Sequence, residues 1–205
     1  MLSFRTHKKT AKRIVAIYPG RFQMPHRGHL HVFEYLHRLF PETYVTTSNL
    51  TELGRSPFTF KEKKSLLTFI GIPENKIVES INPSSPPEIK NNLDGNTALI
   101  LCAGSKVQDE ENRFSFKNKK DGSASYYQPY EENKHSLKSA DEHGYIIFVP
   151  TYHFTVLGHE VKSASELRAM FKAADHETQK KLIIDLYGKY SEQIHVLLLL
   201  KLGTK

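Results

Sequence analysis

The residues best placed to do chemistry are two histidines three positions apart, His26 and His29, in the run Gly20-Arg21-Phe22-Gln23-Met24-Pro25-His26-Arg27-Gly28-His29. The run follows an apolar stretch, Ile14-Val15-Ala16-Ile17-Tyr18, and leads into Leu30-His31-Val32-Phe33-Glu34-Tyr35-Leu36. That order predicts a buried strand, a tight Gly/Pro loop, and a helix whose opening turn carries both imidazoles. At a spacing of three they point the same way on a helix. A helix N-terminus offers unpaired N–H groups and the positive end of the dipole, so it is an anion site before any side chain is counted. Imidazoles added there can hydrogen-bond phosphate oxygens whose charge grows during transfer. A His-x-x-His pair could also bind metal, but no neighbouring Cys or acid completes a ligand set at zinc-like spacing.

Two further segments carry polar groups in ordered spacing. In Ser163-Ala164-Ser165-Glu166-Leu167-Arg168 the hydroxyls stand at a predicted helix start, where they cap N–H groups or contact an anion. Arg168 lies one turn inside, on the same side. Alone, this segment is an ordinary capped helix with a surface arginine. Pro57-Phe58-Thr59-Phe60-Lys61-Glu62-Lys63 predicts a capping box, Thr59 with Glu62, ahead of the apolar set Leu66, Leu67, Phe69 and Ile70.

The first run resembles the phosphate-binding signature of the nucleotidyltransferase superfamily, His-x-Gly-His, and its longer form Gly-Arg-Phe-Gln-Pro-x-His-x-Gly-His. The longer form marks nicotinamide mononucleotide adenylyltransferases of the archaeal and Nudix-fused kind. The Ser163–Arg168 segment resembles the superfamily's second signature, Ser-x-Ser/Thr-x-apolar-Arg. Pro57 to Lys63 resembles the Pro-Phe-Thr-x-x-Glu-Arg segment of the archaeal-type enzymes. Together the three motifs span residues 14 to 168.

The resemblance implies a Rossmann-like, doubly wound parallel α/β sheet and direct nucleotidyl transfer from ATP to a phosphorylated acceptor, with release of pyrophosphate. It assigns His26 and His29 to the α/β-phosphate oxygens, with His29 the more critical. Arg21 and Lys63 would neutralise phosphate charge. Ser163, Ser165 and Arg168 would hold the outgoing pyrophosphate. Gly20 and Gly28 let the backbone approach closely, and Phe22 and Gln23 join the nucleotide-binding loop. Mg²⁺ is expected to arrive with ATP, since no dedicated carboxylate cluster is visible. Nicotinamide mononucleotide is the leading acceptor; a pantetheine phosphate, a sugar phosphate or a modified nucleotide are the alternatives. The cytidylyltransferase signature Arg-Thr-x-Gly-Ile-Ser is not found, which favours ATP over CTP by family analogy.

The chain departs from the pattern in four places. Proline comes one position late, at Pro25, after Met24. Lys63 replaces an arginine, keeping the charge and losing the bidentate fork. Gly104-Ser105-Lys106-Val107 differs from the family, and the chain has no tryptophan to stack nicotinamide. Tyr126, Tyr127 and Tyr152 are the candidates to replace it.

At 205 residues the chain suits a single domain with a sizeable core. No apolar run, Val196 to Leu200 among them, is long enough for a membrane helix. The basic N-terminus lacks a secretory apolar core, and Cys102 is the only cysteine, so a reducing cytoplasmic setting is expected. The net charge of +7 favours anionic partners, small phosphorylated molecules first and nucleic acid second. A nucleotide-sensing or nucleic-acid-binding protein on the same fold is the reading from outside enzymes. The superfamily often forms dimers to hexamers, so a homo-oligomer is an expectation from resemblance.

Strands are expected at 14–18, 44–47, 76–81, 97–103 and 145–149, with helices between them, at 163–174 and from Thr178 onward. The polar stretch 108–143 breaks this alternation and reads as an insertion, a substrate-side lid or specificity loop in preference to a nucleic-acid patch. Residues 163–205 read as a helical C-terminal part. Its apolar run Ile194 to Leu200 is expected to close the core.

Overall fold

In the computed structural model, residues 10–52, 54–104, 116, 118–149, 155–161 and 163–203 are described. A six-stranded, all-parallel sheet forms the centre, built from β1 (Arg13–Pro19), β2 (Glu42–Thr47), β3 (Ile77–Glu79), β4 (Thr97–Gly104), β5 (Tyr127–Pro129) and β6 (Gly144–Val149). The spatial order is β3-β2-β1-β4-β6-β5. The chain runs outward from β1 to β3, then returns to β4 on the other side of β1. The order therefore reverses between β1 and β4, and a crevice opens outside their carboxyl ends, where ligands bind in doubly wound folds.

Seven helices are described: α1 (Arg27–Leu39), α2 (Phe60–Ile70), α3 (Pro87–Lys90), α4 (Tyr130–Asn133), α5 (Ala164–Ala173), α6 (His176–Tyr187) and α7 (Glu192–Leu202). Both faces of the central strands are buried, which is why β4 reads as a continuous apolar run. On one face Ala16, Ile100, Cys102 and Ile147 cluster with Leu36 and Phe40, from α1 and its end. On the other, Val15, Ile17, Leu99, Leu101 and Ile146 cluster with Ile89 of α3. A third cluster joins α2 and α5–α7 to two residues of the first loop, Phe22 and Met24.

That attachment shapes the loop. Phe22 and Met24 adopt left-handed backbone, φ 46° and 84°, which a side chain tolerates only when its surroundings hold it. Here both side chains are buried among the C-terminal helices. A Cβ on Gly20 would stand 2.7 Å from the Phe22 ring, so the loop needs glycine there for close approach.

The expected strands and helices are present within a few residues. Of the stretch 108–143, residues 108–115 and 117 lie outside the described residues, and 127–143 packs onto the edge of the sheet. It supplies β5 and α4, inserts Leu137 into the core and ties back by Ala140 N–H to Thr97 C=O at 2.7 Å. Tyr127 pairs in register with Gly144, the first residue of β6, so this piece sits at the amino ends of the strands. At the C-terminus Ile194, His195 and Leu198 close the core, whereas Leu200 faces outward.

Candidate functional site

The loop that opens α1 fixes its histidines through an unusual cap. His26 is the N-cap, and its Nδ1 accepts the Gly28 N–H at 3.1 Å. His29, at the third helical position, turns its own Nδ1 back to accept the His26 N–H at 3.2 Å. The pair is a capping box made of two imidazoles. Each Nδ1 is an acceptor, so the neutral ring carries its proton on Nε2. Burial pushes the His29 imidazolium down to about 4, and burial with the neighbouring His29 ring holds His26 well below its ordinary value. Both rings are neutral Nε2–H donors at pH 7. The expected anion site at the helix start therefore differs in one detail: the Gly28 N–H is already capped, and the imidazoles stand in its place.

The second and third motifs converge on this loop. Arg168, in the first turns of α5, donates through Nη1 to the Gln23 C=O at 3.1 Å and through Nη2 to the Ser165 Oγ at 3.0 Å. Nη2 also reaches the Gly54 C=O at 3.3 Å. Burial, then the nearby Arg21 charge, lowers the pKa of Arg168. Two guanidiniums within each other's field, joined to a rigid loop, form a place for an anion. Ser163 caps α5 by accepting the Glu166 N–H at 3.2 Å, and both Ser163 and Ser165 are solvent-exposed.

Gln23 holds the arrangement together from beneath. Its Oε1 accepts the Phe58 N–H at 3.0 Å and its Nε2 donates to the Phe58 C=O at 3.3 Å. Thr59 and Glu62 form the expected capping box of α2, with the Thr59 N–H donating to Glu62 Oε2 at 2.8 Å. Lys63 follows on the inner side of α2. Its Nζ donates to Thr47 Oγ1 at 3.2 Å and to the Ser48 C=O, at the carboxyl end of β2. Burial lowers the Lys63 ammonium to about 8, with Glu79 acting in the opposite sense.

A cleft of about 790 Å³ opens at the switch point, within the range of small-ligand sites. Pro19, Gly20 and Arg21 form one wall and Leu101–Gly104 another. Gln23, Lys63 and the stretch around Arg55 also line it. His26, His29, Ser163, Ser165 and Arg168 are not among the residues that line it; Arg168 bonds the Gln23 C=O of the lining loop, and the His29 ring meets Phe22 of the same loop. Cys102 lines the cleft too, but burial pushes its thiol up to about 12, so it is no nucleophile at neutral pH.

Several sequence expectations are refined by this geometry. Phe22 is buried and meets the Tyr18 and His29 rings edge-on, so it supports the histidine instead of facing the cleft. Tyr126 and Tyr127 sit at the opposite end of the sheet, with the Tyr126 hydroxyl donating to the Ala140 C=O at 2.8 Å. They cannot stack a ligand at the carboxyl ends; Tyr152 lies outside the described residues. Sequence reasoning missed Arg55, Leu50 and Ile81, which line the cleft from loops that carry no periodicity. Among the described residues, no three His, Cys, Asp or Glu side chains gather to hold a metal ion. No described helix is long and apolar enough to cross a membrane.

Comparison with known proteins agrees with this fold. The cytidylyltransferase-like family model matches residues 17–111, which include the first motif and the Pro57–Lys63 segment. No curated protein matches the chain. Among solved structures, the chain is similar to a bifunctional NMN adenylyltransferase/ADP ribose pyrophosphatase from Francisella tularensis, complexed with AMP and a Mn ion. The TM-score is 0.53 at 16% identity, covering 94% of this chain and 50% of that one. This chain thus spans about half the length of that protein. It is also similar to a Plasmodium falciparum nicotinic acid mononucleotide adenylyltransferase complexed with NaAD, with TM-score 0.51, 14% identity and coverage of 92% and 95%. Over residues 17–111 the chain is similar to the cytidylyltransferase-like family, and it has the Rossmann-like α/β fold of these adenylyltransferases.

Proposed function

We propose that this protein is an adenylyltransferase, moving AMP from ATP to a phosphorylated small molecule, with nicotinamide mononucleotide as the leading acceptor and NAD as the product. One observation carries the reading: Arg168 bonds the Gln23 C=O at 3.1 Å, which joins the start of α5 to the loop that opens α1 at the switch point.

The chemistry asks for positioning and charge neutralisation, with no nucleophile–base pair. An oxygen of the acceptor phosphate bonds to the α-phosphorus of ATP while the bond to the bridging β-oxygen breaks, and pyrophosphate leaves with the electron pair. A phosphate monoester is mostly ionised at neutral pH, so no general base is needed. Negative charge spreads over the equatorial and leaving oxygens, where fixed donors act without reorganising. In this reading the Nε2–H groups of His26 and His29 donate to the α/β-phosphate oxygens. Arg168, Ser165 and the start of α5 take the departing pyrophosphate, and Arg21 faces the same charge. A divalent ion such as Mg²⁺, arriving with the triphosphate, would supply further charge neutralisation beside Arg21 and Arg168.

The acceptor ring would sit at the cleft mouth between Leu50 and Ile81, which are 75% and 90% exposed and line the cleft. Both follow the carboxyl ends of β2 and β3. The test is pyrophosphate release with MgATP and a panel of phosphorylated acceptors. Turnover on nicotinamide mononucleotide supports the full reading; turnover on another acceptor keeps the mechanism and removes NAD. Silence across the panel, with salt-sensitive nucleic-acid binding, would replace the enzyme with a binding protein.

A further inference from the structure

We infer that Asp185 is a positioning residue for the transfer reaction, holding two halves of the phosphate site in register. The inference rests on the nucleotidyl-transfer reading. The halves are far apart in sequence: the histidines open α1, whereas Ser163, Ser165 and Arg168 open α5. Arg168 makes one bridge between them, to the Gln23 C=O. Asp185, on α6, makes a second, and divides its two carboxylate oxygens between the halves. Its Oδ1 accepts from Arg27 Nη2 at 3.1 Å, and its Oδ2 accepts the Leu157 N–H at 2.7 Å.

Arg27 stands between His26 and Gly28, the two residues that the cap of α1 joins. A hold on its guanidinium therefore limits how the turn carrying both imidazoles can tilt. Leu157 belongs to the other half. Thr155–Val156 (β7) and His159–Glu160 (β8) form an antiparallel hairpin that precedes α5 in the chain. Its turn is Leu157-Gly158, with φ +49° and +83°, the left-handed pair that Asn-Gly usually fills in a two-residue hairpin. Leucine suits that backbone poorly, because its Cβ crowds the following carbonyl. Its side chain is 38% exposed, so packing alone does not keep it there. Leu157 lies outside the Val156–His159 pairing, which leaves its N–H to Asp185.

The hairpin and the first loop also share a core cluster, in which Val156 and Val161 join Phe22, Met24, Leu167 and Leu186. Apolar contact of that kind is non-directional, so it brings the halves together without fixing their register. The two bonds to one carboxylate are directional. The Arg27–Asp185 pair is wet, its side chains 46% and 30% exposed, and such a pair contributes little to stability. Its consequence is geometric. In the transfer reading, the Nε2–H donors of the histidines and the start of α5 meet one triphosphate. A misplacement of about 1 Å in such a site can cost about 10²-fold in rate.

The experiment measures steady-state pyrophosphate release and the thermal midpoint for the whole chain, native and substituted. MgATP is paired with nicotinamide mononucleotide, or with whichever acceptor of the panel the native protein turns over. Asp185→Ala is expected to lower kcat about tenfold or more with the KM for ATP within about threefold, because each half still binds its own part of the triphosphate. Asp185→Asn should fall between, since its amide oxygen still accepts the Leu157 N–H while the pair with Arg27 is lost. Arg27→Ala combined with Asp185→Ala should lose little more than Asp185→Ala alone, as residues acting through one contact do. Leu157→Gly relaxes the turn, so added to Asp185→Ala it should return the thermal midpoint toward the native value and leave kcat low. An unchanged kcat in Asp185→Ala would overturn the proposal. So would a kcat that recovers with the midpoint on adding Leu157→Gly, which would make Asp185 a support of the fold alone. A KM for ATP raised about tenfold in Arg27→Ala at unchanged kcat would overturn it too, by making Arg27 a ligand of the triphosphate. Failure of the transfer reading is seen earlier, in a native protein that releases no pyrophosphate from MgATP with any acceptor.

Discussion

The His26 backbone N–H donates to Nδ1 of His29 across 3.2 Å, and the two rings lie against each other with centroids 3.9 Å apart. One pair of side chains therefore both starts the helix and presents Nε2–H donors at its mouth. These two roles separate by substitution. Asn at an N-cap satisfies the helix as well as any residue, but it does not place an imidazole Nε2–H against a phosphate. His26→Asn should keep the thermal midpoint while lowering pyrophosphate release about 10²–10³-fold. His26→Ala should lose the cap as well, at about 1 kcal/mol. Calorimetry and a pyrophosphate assay on the same preparations check both halves. An active His26→Asn enzyme would mean that His26 is only a cap.

The same geometry sets a pH dependence. An unfolded histidine takes its proton near 6.5, whereas His29 in the fold resists it until about 4, because burial disfavours the charge. Between those values the unfolded chain binds more protons, so stability falls as pH drops through that window and levels off below it. It is fully present above 6.5. His26 shifts in the same direction and adds to the slope. Protonation would also remove the Nδ1 acceptors and open the cap. Denaturant midpoints at pH about 7.5, 6 and 5 should decline in that order. A flat series, or one unchanged in His29→Asn, would show that the rings are not held neutral.

Arg21 and Arg168 present the opposite bookkeeping. Arg21 lowers the pKa of Arg168, so without a ligand the two charges oppose each other. Arg21→Ala should leave the protein as stable as before or slightly more so, while raising the KM for ATP about tenfold or more. The gain in stability should fade in high salt, because both side chains meet solvent. A loss of stability in Arg21→Ala would mean that this arginine has a structural partner and is no anion receptor.

Which parts of this design the sequence reveals follows from the period of each element. β4 is a run of buried apolar residues and α2 begins with Thr59 and Glu62 in capping register, so both are legible from spacing alone. His26 and His29 are legible as a pair, but the reciprocal cap depends on χ angles that no spacing encodes. β5 is three residues long and contains proline, too short to show alternation, so no pattern in 108–143 announces the strand that completes the sheet. Arg55 stands in a turn whose position is set from 114 residues away in sequence, by Arg168 on the Gly54 C=O. No local pattern could report that contact. Lys63 is read from the resemblance as a phosphate-facing charge, and no spacing shows that it is 1% exposed, laid by α2 across the end of β2.

Gln23 offers the sharpest separation of scaffold from ligand contact. The motif resemblance counts it with the nucleotide-binding residues, yet both ends of its amide are spent on Phe58, itself fully buried. Removing that side chain leaves a buried N–H and C=O without partners, which costs about 1–3 kcal/mol each time a group is orphaned. It also loosens the C=O that Arg168 reads. Gln23→Ala should therefore lose stability first, with kcat falling more than the KM for ATP, because the loop still offers its backbone but no longer holds Arg168 in place. Gln23→Glu should be worse, since a carboxylate can accept the Phe58 N–H but faces the Phe58 C=O with no donor. Urea denaturation with steady-state kinetics on both variants decides the matter. An unchanged midpoint with a raised KM for ATP would return Gln23 to the nucleotide, and the Phe58 pairing would be incidental.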